Sequence, residues 1–162
     1  MVAVLGLGVS LAGQSLQAFV QREREAELLW RGLQYRRALA SYYGVRHGPQ
    51  QMYPGKLEDL LLDPRSVSKI RHLRRLYNDP MTGGEWETIT DPAERIIGVR
   101  SASTHAPFRQ TGFPKGLEAF EGKSSYREWE FVFVPARQTA NQGAPASAGT
   151  APGMANPRVP GQ

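Results

Sequence analysis

The sequence predicts an α+β fold, with one long N-terminal helix packed on a small three- to four-stranded antiparallel sheet. Three observations lead there. Residues 1–43 contain no proline and, beyond Arg22, are rich in good helix formers. Three segments with strand patterning, 85–89, 95–101 and 126–134, all follow a strong turn signal at 78–84. Helix and strand patterns are segregated along the chain, which favours an antiparallel sheet over repeated βαβ units.

The first 21 residues, MVAVLGLGVSLAGQSLQAFVQ, carry no charged side chain. As a helix rising about 1.5 Å per residue they would extend roughly 30 Å, the thickness of a bilayer's hydrocarbon. Apolar residues are densest over 2–12, and Gln14, Ser15 and Gln17 intervene afterwards. No basic residue precedes the run and no Ala-x-Ala follows it before Arg22, so the reading is a retained apolar anchor over 1–21 rather than a cleaved signal. The text then becomes REREAELLWRGLQYRRALASYY. Leu28, Gly32, Tyr35, Leu39 and Tyr42 recur every three or four residues and form one stripe, with Leu29 and Tyr43 at its edge. Trp30, Gln34, Arg37 and Ser41 lie opposite. Gly44, followed by Gly48 and Pro49, ends the helix, which therefore covers 1–44. A helix apolar all round in its first half must bury that half in lipid or against other copies, while its second half lays a stripe on a small domain.

Residues 45–134 are read as that domain. Leu57, Leu60 and Leu61 mark a short helix ended by Asp63-Pro64, and Ile70, Leu73, Leu76 and Tyr77 give the apolar face of a second one carrying Arg71, Arg74 and Arg75. The turn Asn78-Asp79-Pro80-Met81-Thr82-Gly83-Gly84 leads to the strands. The first, EWETI, sends Trp86 and Thr88 to one face, and the second, RIIGVRS, is β-branched on both. The third, YREWEFVFV, alternates Trp129, Phe131 and Phe133 against Glu130, Val132 and Val134. Residues 104–125 form a long loop with Phe108, Phe113, Leu117 and Phe120, folded over the sheet's edge. Residues 135–162 are mostly Ala, Pro, Gly, Ser, Thr, Asn and Gln without an aromatic, and are read as a disordered tail.

At 162 residues the chain is one domain's worth, and its lack of Cys excludes disulfides, thiolate zinc sites and cysteine nucleophiles. Net charge is +5, unevenly placed: between Arg22 and Arg75 there are twelve Lys or Arg against six acids. The three histidines, His47, His72 and His105, have no metal-ligand spacing, and His72 is expected on an exposed helix shoulder. Asp79, Glu85, Glu87 and Asp91 surround the turn and first strand without the D-x-D-x-D-G pattern of a calcium loop, so turn formation and solvation is their expected role. Gly6-Leu7-Gly8 follows no strand and cannot cradle phosphate; it fits close helix packing. Glu58 and Asp59 are adjacent, hence on different sides of a helix, and do not form an acid/base pair. No catalytic residue, cofactor site, metal site or small-molecule substrate is expected, and the chain is not read as an enzyme.

The segments REREAELLWRGLQYRRALASYY, YPGKLEDLLLDP, RHLRRLYNDPMTGGEW and IIGVRS together resemble a proteobacterial pseudopilin-like group of type II secretion systems, over roughly residues 15–134. A long helix feeding a small sheet likewise resembles type IV pilins. The resemblance implies a pilin-like head in the periplasm and a single pass through the bacterial inner membrane. It also implies a structural role in filament assembly, with other pseudopilins or inner-membrane secretion components as partners. Family members open with a basic leader, a Gly cleavage site, a Phe and a Glu five residues in. This text starts inside the apolar segment, so the expectation is either a start that lies further upstream or a truncated or divergent gene, and an in-frame upstream leader ending in Gly-Phe would settle the family reading. No nucleic acid is expected on this reading. A second reading from the residues is a soluble basic module contacting nucleic acid or an acidic partner through a helix at Lys69–Arg75.

Overall fold

The computed structural model describes residues 5–46 and 51–135, with side chains of the long helix described from Gln17 onward. Helix α1 (Leu5–Gly44) is a single unbroken rod of 40 residues. Most of the apolar segment at 1–21, along with His47 and the tail at 136–162, lies outside the residues whose side chains are described. The sheet has three antiparallel strands in the order β1 (Glu87–Thr90), β2 (Ile96–Arg100), β3 (Phe131–Val132). In register, Glu87 faces Arg100, Val99 faces Phe131, and a bulge sits between Ile89 and Thr90.

The stripe read from the spacing is the buried face of α1: Leu28, Gly32, Tyr35, Leu39 and Tyr42 all pack inward, with Leu29 and Ala38 beside them. Burial of each large side chain contributes about 1.5–3 kcal/mol, so this stripe supplies much of the force holding helix to sheet. The core behind it is aromatic. Tyr35 meets Trp86 edge-on at 5.6 Å, Trp86 meets Phe131 at 6.0 Å, and Phe131 meets Phe120 at 5.1 Å. Phe120 in turn stacks on Trp129 at 5.5 Å. The indole nitrogens of Trp86 and Trp129 are buried without a hydrogen-bond partner among the described residues, a cost the ring packing offsets.

Phe131 sits where α1, β2 and the long loop converge, and two glycines make room for it. A Cβ on Gly32 would overlap the Phe131 ring. A Cβ on Gly98 would come within 2.9 Å of the Phe131 carbonyl oxygen and 2.8 Å of a Val132 methyl. Glycine is thus required on both sides of one residue for the helix and the second strand to approach this closely.

Five sequence expectations change. The helix expected over 70–76 is absent: this stretch is irregular, with Lys69 at φ 51°. Its backbone bonds outward instead, Ile70 accepting from the Asp63 N–H while His72 and Leu73 both donate to the Leu60 carbonyl. A helix this short has little intrinsic stability, and tertiary partners decide. Only Leu73 of its apolar set is buried, and Leu76 is exposed. The helix expected at Leu57 is one 3₁₀ turn, Leu57–Leu60, with Asp59 accepting from the Gly55 and Lys56 N–H groups.

The third strand is shorter than its alternation suggested. Tyr126–Glu128 form a 3₁₀ turn and pairing is confined to Phe131–Val132, although Trp129 and Phe131 are buried while Glu130 is exposed, as the alternation required. In the first strand, Trp86 is buried and Thr88 is exposed, so the two share a direction without sharing the core. The loop at 104–125 does more than cover an edge: its Leu117 and Phe120 belong to the core itself.

Candidate interaction surface

Three buried carboxylates organise the head, and each explains part of the surface around it. Glu25, on α1, points inward and clasps the long loop. Its oxygens accept from the Phe108 N–H at 2.9 Å, the Arg109 N–H at 3.0 Å and the Tyr126 hydroxyl at 2.9 Å. Gln21, one turn earlier, donates to the Ala106 carbonyl and the Tyr126 hydroxyl. The loop is therefore fastened to the helix where α1 leaves the head.

Asp79 is fully buried in the turn after the irregular segment. It accepts from the Met81 N–H, the Thr82 and Ser101 hydroxyls and the Ala102 N–H, at 2.7–3.3 Å. Its lone pairs are filled by the protein's own donors, which is a turn-forming role. Asp91 caps its loop through the Ala93 and Arg95 N–H groups. Glu87 pairs with Arg100 and Arg127, and Glu85 is exposed. These four acids act separately, and among the described residues no group of three His, Asp or Glu side chains is placed to hold a metal ion.

The third carboxylate, Asp63, forms a fork with Arg65, whose guanidinium donates to both oxygens at 2.8–2.9 Å. That hydrogen-bonded guanidinium holds the Asp63 carboxyl well below the usual carboxylate range, against the opposing effect of burial. Arg65 also stacks 3.6 Å above the Tyr42 ring and donates to the Tyr42 carbonyl, tying this loop to the last turn of α1. His72 completes the cluster. Its Nε2 lies 3.3 Å from Asp63 Oδ2 and its Nδ1 2.8 Å from the Ser41 hydroxyl. The His72 side chain is only 1% exposed, so its expected place on an exposed shoulder is corrected: Asp63 and Ser41 draw it inward.

Ser41, His72 and Asp63 are the residue types of a nucleophile relay, but the geometry serves structure. Asp63 is already neutralised by Arg65, which weakens its ability to stabilise an imidazolium. Ser41 lies within a helix, where backbone N–H groups are spent on the i−4 carbonyls and cannot supply an oxyanion hole. Nothing in the spacing of these three in the sequence marked them as a unit.

The basic segment at Lys69–Arg75 presents Lys69, Arg71, Arg74 and Arg75 to solvent from an irregular loop, not from a helix. Arg75 lies 5.1 Å over Tyr77, whose ring meets the half-exposed Trp30 edge-on at 5.3 Å. At the other end of the head, Phe19, Val20 and Phe108 are exposed apolar side chains next to Arg22 and Arg24. No helix among the described residues is long and apolar enough by itself to cross a membrane. Compared with known protein families, characterised proteins and solved structures, the chain matches none.

Proposed function

We propose that this chain is a pseudopilin-like structural subunit of a type II secretion or type IV pilus-like assembly. On this reading it is held at the bacterial inner membrane by the N-terminal part of α1, with a pilin-like head in the periplasm. The observation that carries the reading is the single 40-residue α1, which builds the head with its Gln17-to-Tyr43 portion and continues toward a charge-free terminus. In such an assembly neighbouring helices bury one another's sides. In lipid that burial removes no water, so close van der Waals packing of helix on helix is the energetic source of such a subunit's work.

Replacing Leu11 with Arg tests the reading. The substitution costs about 3 kcal/mol in a helix at bilayer depth, roughly a hundredfold in partition. The variant is expected to leave the membrane fraction while its head stays folded; unchanged fractionation of this variant contradicts the proposal. Salt-sensitive retention on DNA by parent protein that never enters the membrane fraction supports a soluble basic module instead.

A further inference from the structure

The end of the head from which α1 continues toward its N-terminus combines apolar and basic side chains in one band, in which Arg22 and Arg24 outnumber the one exposed acid, Glu23. Residues 17–25 occupy about 12 Å of helix axis. Within that band Phe19 is 66% exposed and Val20 40%, and the loop brings Phe108, 46% exposed, alongside. The Arg22 guanidinium lies 4.3 Å above the Phe108 ring. Arg24 and His105 line a cleft of about 550 Å³ together with Gln17, Val20, Gln21 and Met81. No acidic side chain lines this cleft. The buried acids beside it are turned inward, Glu25 accepting from the Phe108 and Arg109 N–H groups and Asp79 from the Met81 N–H. Among the described residues, neither Arg22, Arg24 nor His105 enters an ion pair.

Exposed aromatics beside arginines are the side-chain mixture that settles at a membrane–water interface, where rings enter the headgroup layer and guanidinium groups meet phosphate. We propose that this band seats the head on an anionic lipid surface, with a lipid phosphate entering the cleft between Arg24 and His105. The apolar Val20 and Met81 flank the cleft and suit the glycerol end of such a lipid; free inorganic phosphate has no use for them. The inference rests on the membrane reading above.

The test uses the full chain with Phe108→Trp, which keeps an aromatic ring under Arg22 and adds a reporter within the band. The protein is reconstituted in phosphatidylcholine vesicles containing either brominated phosphatidylglycerol or brominated phosphatidylcholine at the same mole fraction. Quenching of the added tryptophan is expected to be about fivefold more effective per basic side chain for the anionic lipid. That preference should vanish in about 1 M salt, where screening is complete within a few ångström, and in the Arg22→Gln/Arg24→Gln variant. Equal quenching by the two lipids, or none, overturns the inference. If the vesicles still float with protein bound, the membrane reading survives that result; if no protein floats, both fall. Loss of the preference when inorganic phosphate replaces chloride at constant ionic strength assigns the cleft to the free anion and likewise overturns the lipid assignment.

Discussion

A methyl group added at Gly32 would collide with the Phe131 ring, which is fully buried between α1 and β2. Two effects compete in Gly32→Ala: better helix propensity, about 1 kcal/mol in favour, and overpacking against a ring with no free space, about 1–3 kcal/mol against. Overpacking wins, so a net loss of roughly 1–2 kcal/mol in denaturant unfolding is expected, partly recovered by Phe131→Leu. Asp63 links stability to pH at the acid end. Its folded-state value is depressed, so the stability it provides is present above its ordinary value of 3.8 and is lost as pH falls from there toward the folded value. Asp63→Asn should cost about 3 kcal/mol at neutral pH, because Arg65 and His72 are left facing an uncharged group, and should flatten the acid limb of stability. Urea midpoints at neutral and acid pH check both statements. At the alkaline end, burial, helped by the nearby Tyr43 and Asp91, pushes the Tyr53 hydroxyl up to about 12. Tyr53 donates to the Phe133 carbonyl at 3.0 Å. Its contribution is complete below its ordinary value of 10 and is lost as pH rises through about 12, within a late tyrosinate absorbance rise that Tyr53→Phe diminishes, burial raising Tyr35, Tyr42 and Tyr126 as well. Of these residues, Gly32 was legible as part of a stripe, though not its reason, since a ring 99 positions away fixes it.

The elements differ in how far local pattern could specify them. Helix α1 was legible because its stripe repeats over many turns and each repeat is filled by core contact. The segment at Ile70, Leu73 and Leu76 offered the same spacing over only two turns. There, three backbone bonds to Leu60 and Asp63 and the inward pull on His72 outweigh a short helix's weak propensity. The third strand was legible in its alternation and not in its length, because Tyr126 turns aside to meet Glu25 on the helix. Glu25→Ala removes hydrogen bonds from a charged acceptor, each worth about 1.5–3 kcal/mol, and leaves the Arg109 N–H without a partner and the Phe108 N–H with only the Tyr126 hydroxyl at 3.3 Å. Amide exchange at Phe108 and Arg109 should accelerate by at least about tenfold, while that of β2 should change far less. Equal acceleration in both places would mean the loop is not an independently held element.

At the scale of the whole molecule, the segregation of helix from strands was visible in the sequence, and so were the three strand positions. The buried polar network was not. Glu25, Asp63 and Asp79 read as ordinary surface charges until distant donors are brought to them, and no local periodicity encodes a partner 101 residues away, as for Tyr126 and Glu25. On the proposed reading, α1 packs along its N-terminal half against other copies. Because the chain has no Cys, single cysteines can be placed one at a time from Gly8 to Phe19 and oxidised in membranes. Disulfide-linked dimers are expected whose yield rises and falls with a period of about 3.6 residues, marking one helix face. Uniformly monomeric protein at every position would contradict it.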